Sequence, residues 1–124
     1  MENTFKTITA EEFAALDYKN YTLVDLREPD ELLVSGIAGA INIPFSQFAT
    51  KLDDVPKDKP VIIYCRVGDF SEQIAEILAD RGYDVSHVEG GYNAYRKLTE
   101  SLTHSRRPRR KKRPRNRPLS TPKD

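Results

Sequence analysis

Val61-Ile62-Ile63-Tyr64-Cys65-Arg66-Val67-Gly68-Asp69-Phe70-Ser71 decides the fold. Four apolar or aromatic residues run straight into the only cysteine of the chain. A short loop with one glycine follows, and a helical pattern begins at Ser71-Glu72. Val61 to Tyr64 is the most strongly β-patterned run in the sequence and is placed centrally in a sheet. A strand, a tight loop and a helix N-terminus in that order make a cradle of backbone N–H groups. Such a cradle points at whatever the Cys65 sulfur carries.

Outward from this stretch, strands and helices alternate. Thr9-Ala10-Glu11-Glu12 is a capping box that opens a helix of about two turns, with Phe13 and Leu16 on one face. Tyr21 to Leu26 is a strand whose nearly continuous apolar positions suit burial on both faces. Pro29 fits the first turn of a short helix. Ser35 to Gly39 is a loop, and Ala40 to Pro44 a short strand. Phe45 to Leu52 reads as a helix with Ser46 as its cap, and residues 53–60 as a polar connection. Glu72 to Arg81 is a helix with Ile74, Ala75, Ile77 and Leu78 inward, stopped by Gly82. Tyr83 to Val88 is a last strand, Gly90-Gly91 a plain turn, and Tyr92 to Thr99 a last helix. The alternation predicts an α/β domain with a central parallel sheet flanked by helices on both faces. Ligands of such sheets bind beyond the carboxyl ends of the strands, where Cys65 sits.

Charge divides the 124 residues in two. Ten of the 20 basic residues but only one of the 19 acids lie from Ser101 onward, so residues 101–124 carry +9 and residues 1–100 carry −8. The tail has four prolines and few apolar residues, which predicts a disordered segment beyond a domain of residues 1–100. A basic tail of this kind binds nucleic acid non-specifically through phosphates or folds back on the acidic domain. It has no aromatics on which bases could stack.

A single cysteine excludes an internal disulfide framework and a multi-cysteine metal site. Asp53, Asp54 and Asp58 read as a solvated acidic loop, and no residue set implies a metal or a cofactor. The N-terminus shows no secretory pattern, and no run approaches 18 apolar residues. The expectation is a cytoplasmic protein with a free thiol and no membrane partner.

Four motifs now fall in order. They are Leu23-Val24-Asp25-Leu26-Arg27-Glu28-Pro29-Asp30-Glu31, Gly39-Ala40-Ile41-Asn42-Ile43-Pro44, Tyr64-Cys65-Arg66-x-Gly68-x-x-Ser71, and Glu89-Gly90-Gly91 before a terminal helix. Over residues 5–100 the chain resembles the rhodanese family. The resemblance implies a single-domain sulfurtransferase of the thiosulfate sulfurtransferase type. It would take a sulfane sulfur from thiosulfate, a polysulfide or a persulfide, hold it on a cysteine, and pass it to a thiophilic acceptor. Partners would be a small-molecule or protein sulfur donor and a thiol acceptor. Cys65 matches the family's nucleophile. Arg66, Val67, Gly68, Asp69 and Phe70 match the loop whose amides hold the persulfide. Asp25, Arg27 and Glu28 fall in a motif that suggests a structural ion-pair network.

The chemistry agrees. A thiolate is the attacking species, and amides at a helix N-terminus favour the anion. The Arg66 side chain either faces the ligand or points away, and its amide serves in both cases. His87 and His104 receive no function. The family often has a histidine at Gly36, a proline at Ala38 and a tryptophan at Tyr95. Many active relatives carry a second basic residue where Phe70 stands, beside Asp69. An acid near the thiolate should weaken binding of dianionic thiosulfate, and Phe70 should make the rim apolar. The alternative function is a rhodanese-like binding or redox-sensing module without turnover. A cysteine phosphatase would need an arginine six residues after Cys65, and that residue is Ser71.

Overall fold

The computed structural model describes residues 4–106. Five parallel strands form one sheet in the order β1-β5-β4-β2-β3, with β1 Lys6–Ile8, β2 Thr22–Asp25, β3 Ile41–Asn42, β4 Val61–Tyr64 and β5 Val85–Val88. β4 is the middle strand, and all four of its residues are buried. Side chains alternate across a strand, and β4 obeys this. Val61 and Ile63 pack with Val24, Phe48, Leu52, Ile74, Ala75 and Leu78 on one face. Ile62 and Tyr64 pack with Phe13, Leu23, Val88 and Tyr92 on the other. Helix α3 (Phe48–Lys51) and helix α4 (Asp69–Asp80) cover the first face, and helices α1 (Ala10–Ala14) and α5 (Gly91–Arg106) cover the second. Short helix α2 is Pro29–Leu32, with Pro29 at its first position.

The Thr9 capping box is present in both directions: the Glu12 amide donates to Thr9 Oγ1 (3.0 Å), and the Thr9 amide to Glu12 Oε1 (2.8 Å). Several expectations need correction. β1 is an addition to the expected strands. It is a three-residue edge strand, two residues of it exposed, that pairs to β5, and Lys-Thr-Ile alone has no strand periodicity. The segment from Phe45 is not one helix. A 3₁₀ turn at Phe45–Gln47, α3 and a second 3₁₀ turn at Leu52–Asp54 follow one another. Ser46 caps nothing there; its hydroxyl donates to Glu28 Oε2 (3.1 Å). Phe48 and Leu52 are buried as expected. Helix α4 starts at Asp69 rather than Glu72, and Ile77 faces outward at 43% exposure. Helix α5 continues through Arg106, past the predicted domain end at residue 100. No glycine or proline interrupts residues 92–107, and extending an existing helix is cheap compared with starting one. The rest of the predicted tail lies outside the described residues.

The connection after β2 leads outward to β3. The chain then returns across β2 to β4 and continues the other way to β5. Chain direction across the sheet therefore reverses between β2 and β4. A crevice opens beyond their carboxyl ends, the position where doubly wound sheets bind ligands.

Candidate active site

β4 delivers Cys65 to the floor of that crevice, where it is 2% exposed. Its Sγ accepts hydrogen bonds from the amides of Gly68 (3.0 Å) and Ser71 (3.3 Å). The first amides of a helix have no partner inside it, and that end carries the positive pole of the helix dipole. At α4 the Ser71 amide, with that of the cap residue Gly68, meets the sulfur. This explains the early start of the helix: Gly68, at φ +105°, occupies the cap position without a side-chain bond.

The loop is held from its other side by α5. The amides of Tyr92 and Asn93 donate to Cys65 O (2.8 Å) and Arg66 O (3.0 Å). Gly91 makes this approach possible. It sits at φ +64°, and a Cβ there would fall 2.5 Å from Cys65 O and 2.7 Å from Arg66 O. Gly90-Gly91 is thus a buttress for the loop rather than the plain turn expected.

Ser71 extends the network inward. Its hydroxyl lies 3.3 Å from Gly68 O and 3.1 Å from Nδ1 of buried His87. A carbonyl can only accept, so one assignment satisfies both contacts: His87 Nδ1–H donates to Ser71 Oγ, and Ser71 Oγ–H donates to Gly68 O. Burial pushes the His87 imidazole below its ordinary value, against the opposing pull of Glu72 and Glu89. The neutral ring suits this role. His87 follows Val85 on the α4 face of β5, so strand alternation carried a signal for it once α4 was assigned to that face.

The end of β2 and the loop after it supply a buried ion pair. Arg27 Nη2 lies 2.9 Å from Asp25 Oδ2, and Asp25 Oδ1 also accepts from the Arg27 amide (2.9 Å). Arg27 Nη2 donates to Ser35 O (2.9 Å), and the guanidinium lies over the Tyr92 ring at 3.9 Å. Asn42 Nδ2 ties β3 to this loop through Asp25 O and Arg27 O, both at 2.9 Å. The expected structural network is therefore Asp25–Arg27. Glu28 stands outside it, its carboxylate bonded to Ser46 at the pocket mouth.

The pocket over Cys65 has a volume of about 300 Å³. Of the predicted loop residues, Arg66, Val67, Asp69 and Phe70 line it with Cys65, while Gly68 lies beneath and contributes its amide. Glu28, Glu31 and Phe45, not singled out as ligand contacts by sequence, line it too. Phe70 stacks on Phe45 with ring centroids 4.0 Å apart and planes 8° apart. The Phe70 amide donates to Asp69 Oδ1 (2.7 Å) and so does not serve the sulfur. The same Oδ1 lies 3.7 Å from Cys65 Sγ and accepts a hydrogen bond from the thiol. Among the described residues, no group of three or more His, Cys, Asp or Glu is placed to hold a metal ion. No described helix is long and apolar enough to cross a membrane.

This geometry has relatives. A sulfurtransferase of Allochromatium vinosum is 35% identical over 80 residues, covering 64% of this chain and 75% of that one. The thiosulfate sulfurtransferase GlpE of Pseudomonas syringae is 30% identical over 93 residues, covering 74% and 88%. The crystal structure of a rhodanese-related protein from Thermoplasma volcanium superposes with a TM-score of 0.71 at 33% identity, covering 76% of this chain and 93% of that one. The family model of the rhodanese-like domain matches residues 9–98. With its parallel sheet, its cysteine at the carboxyl edge of the middle strand and this match over most of its length, the chain belongs to the rhodanese-like domain family.

Proposed function

We propose that the protein is a sulfurtransferase that carries a sulfane sulfur on Cys65 as a persulfide. The observation that carries this reading is the pair of amides, from Gly68 and Ser71, aimed at Sγ on the floor of an open pocket. Hydrogen bonds to an anion are about twice as strong as those between neutral groups, so the cradle favours sulfur in its anionic form. A thiolate is both the nucleophile of the first half-reaction and the leaving group of the second.

In the first half-reaction, Cys65 thiolate attacks the outer sulfur of a donor, and the donor's remaining fragment leaves with the bonding pair. In the second, an acceptor thiolate attacks the terminal sulfur of the persulfide, and Cys65 thiolate departs back into its two amides. Among the described residues, no histidine hydrogen-bonds to the sulfur. Arg27 acts as scaffold: Asp25, Ser35 and Tyr92 fix its guanidinium.

The test is the intact mass of the full chain after exposure to thiosulfate, to inorganic polysulfide and to a cysteine-peptide persulfide. At least one donor should add one sulfur atom, removable by cyanide and absent in Cys65→Ser. If the thiol alkylates normally but no donor adds sulfur, the protein is not a sulfurtransferase.

A further inference from the structure

The charges around the pocket narrow the donor. Five ionisable side chains other than the thiol line it: Arg27, Glu28, Glu31, Arg66 and Asp69. Arg27 is neutralised by Asp25, to which it is bonded within 2.9 Å, and its remaining contacts are to Ser35 and Tyr92. Three carboxylates then face one further cation, Arg66. One of those carboxylates, Asp69, stands 3.7 Å from the reacting sulfur. Thiosulfate brings two negative charges, and its outer sulfur must touch Sγ to react. Its sulfonate is thereby forced into the field of Asp69, Glu28 and Glu31. A like-charge pair about 4 Å apart costs about fivefold in an equilibrium constant even at the dielectric of water.

The mouth is also apolar in a way that a small oxyanion cannot use. Phe70 and Val67 are 44% and 46% exposed, and Phe70 lies flat on Phe45. Stacked rings at the edge of a cleft are the surface on which a side chain of a larger partner anchors. Residues 1–100 carry −8, a field that steers positive partners towards the domain.

We propose that the donor is a cysteine persulfide on a basic segment of another protein, with Asp69, Glu28 and Glu31 selecting for its charge and Phe45–Phe70 receiving a neighbouring apolar side chain. This rests on the sulfurtransferase reading above. Cys65 thiolate attacks the outer sulfur of R–S–SH, and a Sγ–S bond forms as the R–S–SH sulfur–sulfur bond breaks. R–S⁻ leaves with the bonding pair and takes a proton from water, so the step is redox-neutral. The chain's own basic tail has no cysteine and cannot be this donor.

Two short peptides test this, identical but for lysines or glutamates flanking a cysteine persulfide and one phenylalanine. Each is mixed with the full chain alongside thiosulfate, and Cys65 persulfide formation is timed by mass. The lysine peptide should react about tenfold faster than the glutamate peptide at low salt, and the advantage should shrink as the Debye length falls below about 10 Å. Thiosulfate should be the slowest donor and should accelerate with salt. Asp69→Asn and Glu31→Gln should each reduce the lysine-to-glutamate ratio, a quantity from which any change in the thiol itself cancels. Equal rates for the two peptides, thiosulfate as the best donor, or a ratio unchanged by both substitutions overturns the proposal while leaving a sulfurtransferase standing. A lysine-peptide rate that rises with salt overturns it too, because an attraction between opposite charges weakens as salt is added. No persulfide from any donor ends both readings.

Discussion

Asp25 and Arg27 show at the scale of single residues how a buried ion pair holds a site in shape. Neither hydrogen-bonds to the Cys65 sulfur. Their pair is almost wholly excluded from water, 0% and 6% exposed. Breaking a buried pair by removing one member leaves an uncompensated charge and costs about 3–5 kcal/mol. Arg27→Met should therefore lower the urea midpoint steeply, and Asp25→Ala combined with Arg27→Met should recover part of the loss. An unchanged midpoint in Arg27→Met would contradict this account. The motif around Asp25 marked these residues in sequence, but only coordinates separated Glu28 from them. Arg27 and Glu28 lie on the loop just past β2, where no period applies, so nothing in their spacing says that Arg27 turns inward while Glu28 meets Ser46.

At the scale of elements, two helix N-termini grip one loop, α4 through the sulfur and α5 through the carbonyls of Cys65 and Arg66. Gly91→Ala puts a methyl group into those carbonyls and keeps φ positive, whereas Gly39, at φ +88°, has nothing within 4 Å of where a Cβ would lie. Backbone strain alone costs of order 1–3 kcal/mol. Gly39→Ala should pay that strain only and alkylate at Cys65 at the wild-type rate. Gly91→Ala should lose more stability and, because the loop must shift, load sulfur more slowly. Equal behaviour of the two variants would show that the close approach is unimportant. Elements with their own periodicity or caps, such as α1 with its capping box and β4 with its apolar run, were legible in sequence. β1 and the start of α4 were not. Their stabilising partners, β5 and a cysteine sulfur, are tertiary and leave no local pattern.

Across the whole molecule, strand–helix alternation was enough to foresee a parallel sheet with Cys65 at its carboxyl edge. The chain reversal between β2 and β4 was not legible, because strand order depends on pairing distant in sequence. The same long-range assembly buries His87 beneath the active-site loop, where Phe5 meets its ring edge-on at 5.5 Å. Its coupling to Ser71 ties the stability of the entire fold to pH. Burial lowers the folded-state value of His87, with Glu72 and Glu89 pulling the other way. In the unfolded chain the imidazole takes a proton near pH 6.5. Between the two values the unfolded chain binds more protons than the native one, so stability rises with pH in that window. The contribution is complete above about pH 6.5 and declines as pH falls below it towards the folded-state value. Protonation also places a charge in a nearly dry site. Urea midpoints measured at pH 7.5, 6.5 and 5.5 should therefore fall for the wild type. His87→Asn keeps a side-chain donor for Ser71 but does not titrate. It should be less stable at pH 7.5, through imperfect packing, yet lose less between pH 7.5 and 5.5 than the wild type. Parallel pH profiles would mean that the acid sensitivity of the fold arises from its carboxylates and that His87 is only a packing residue.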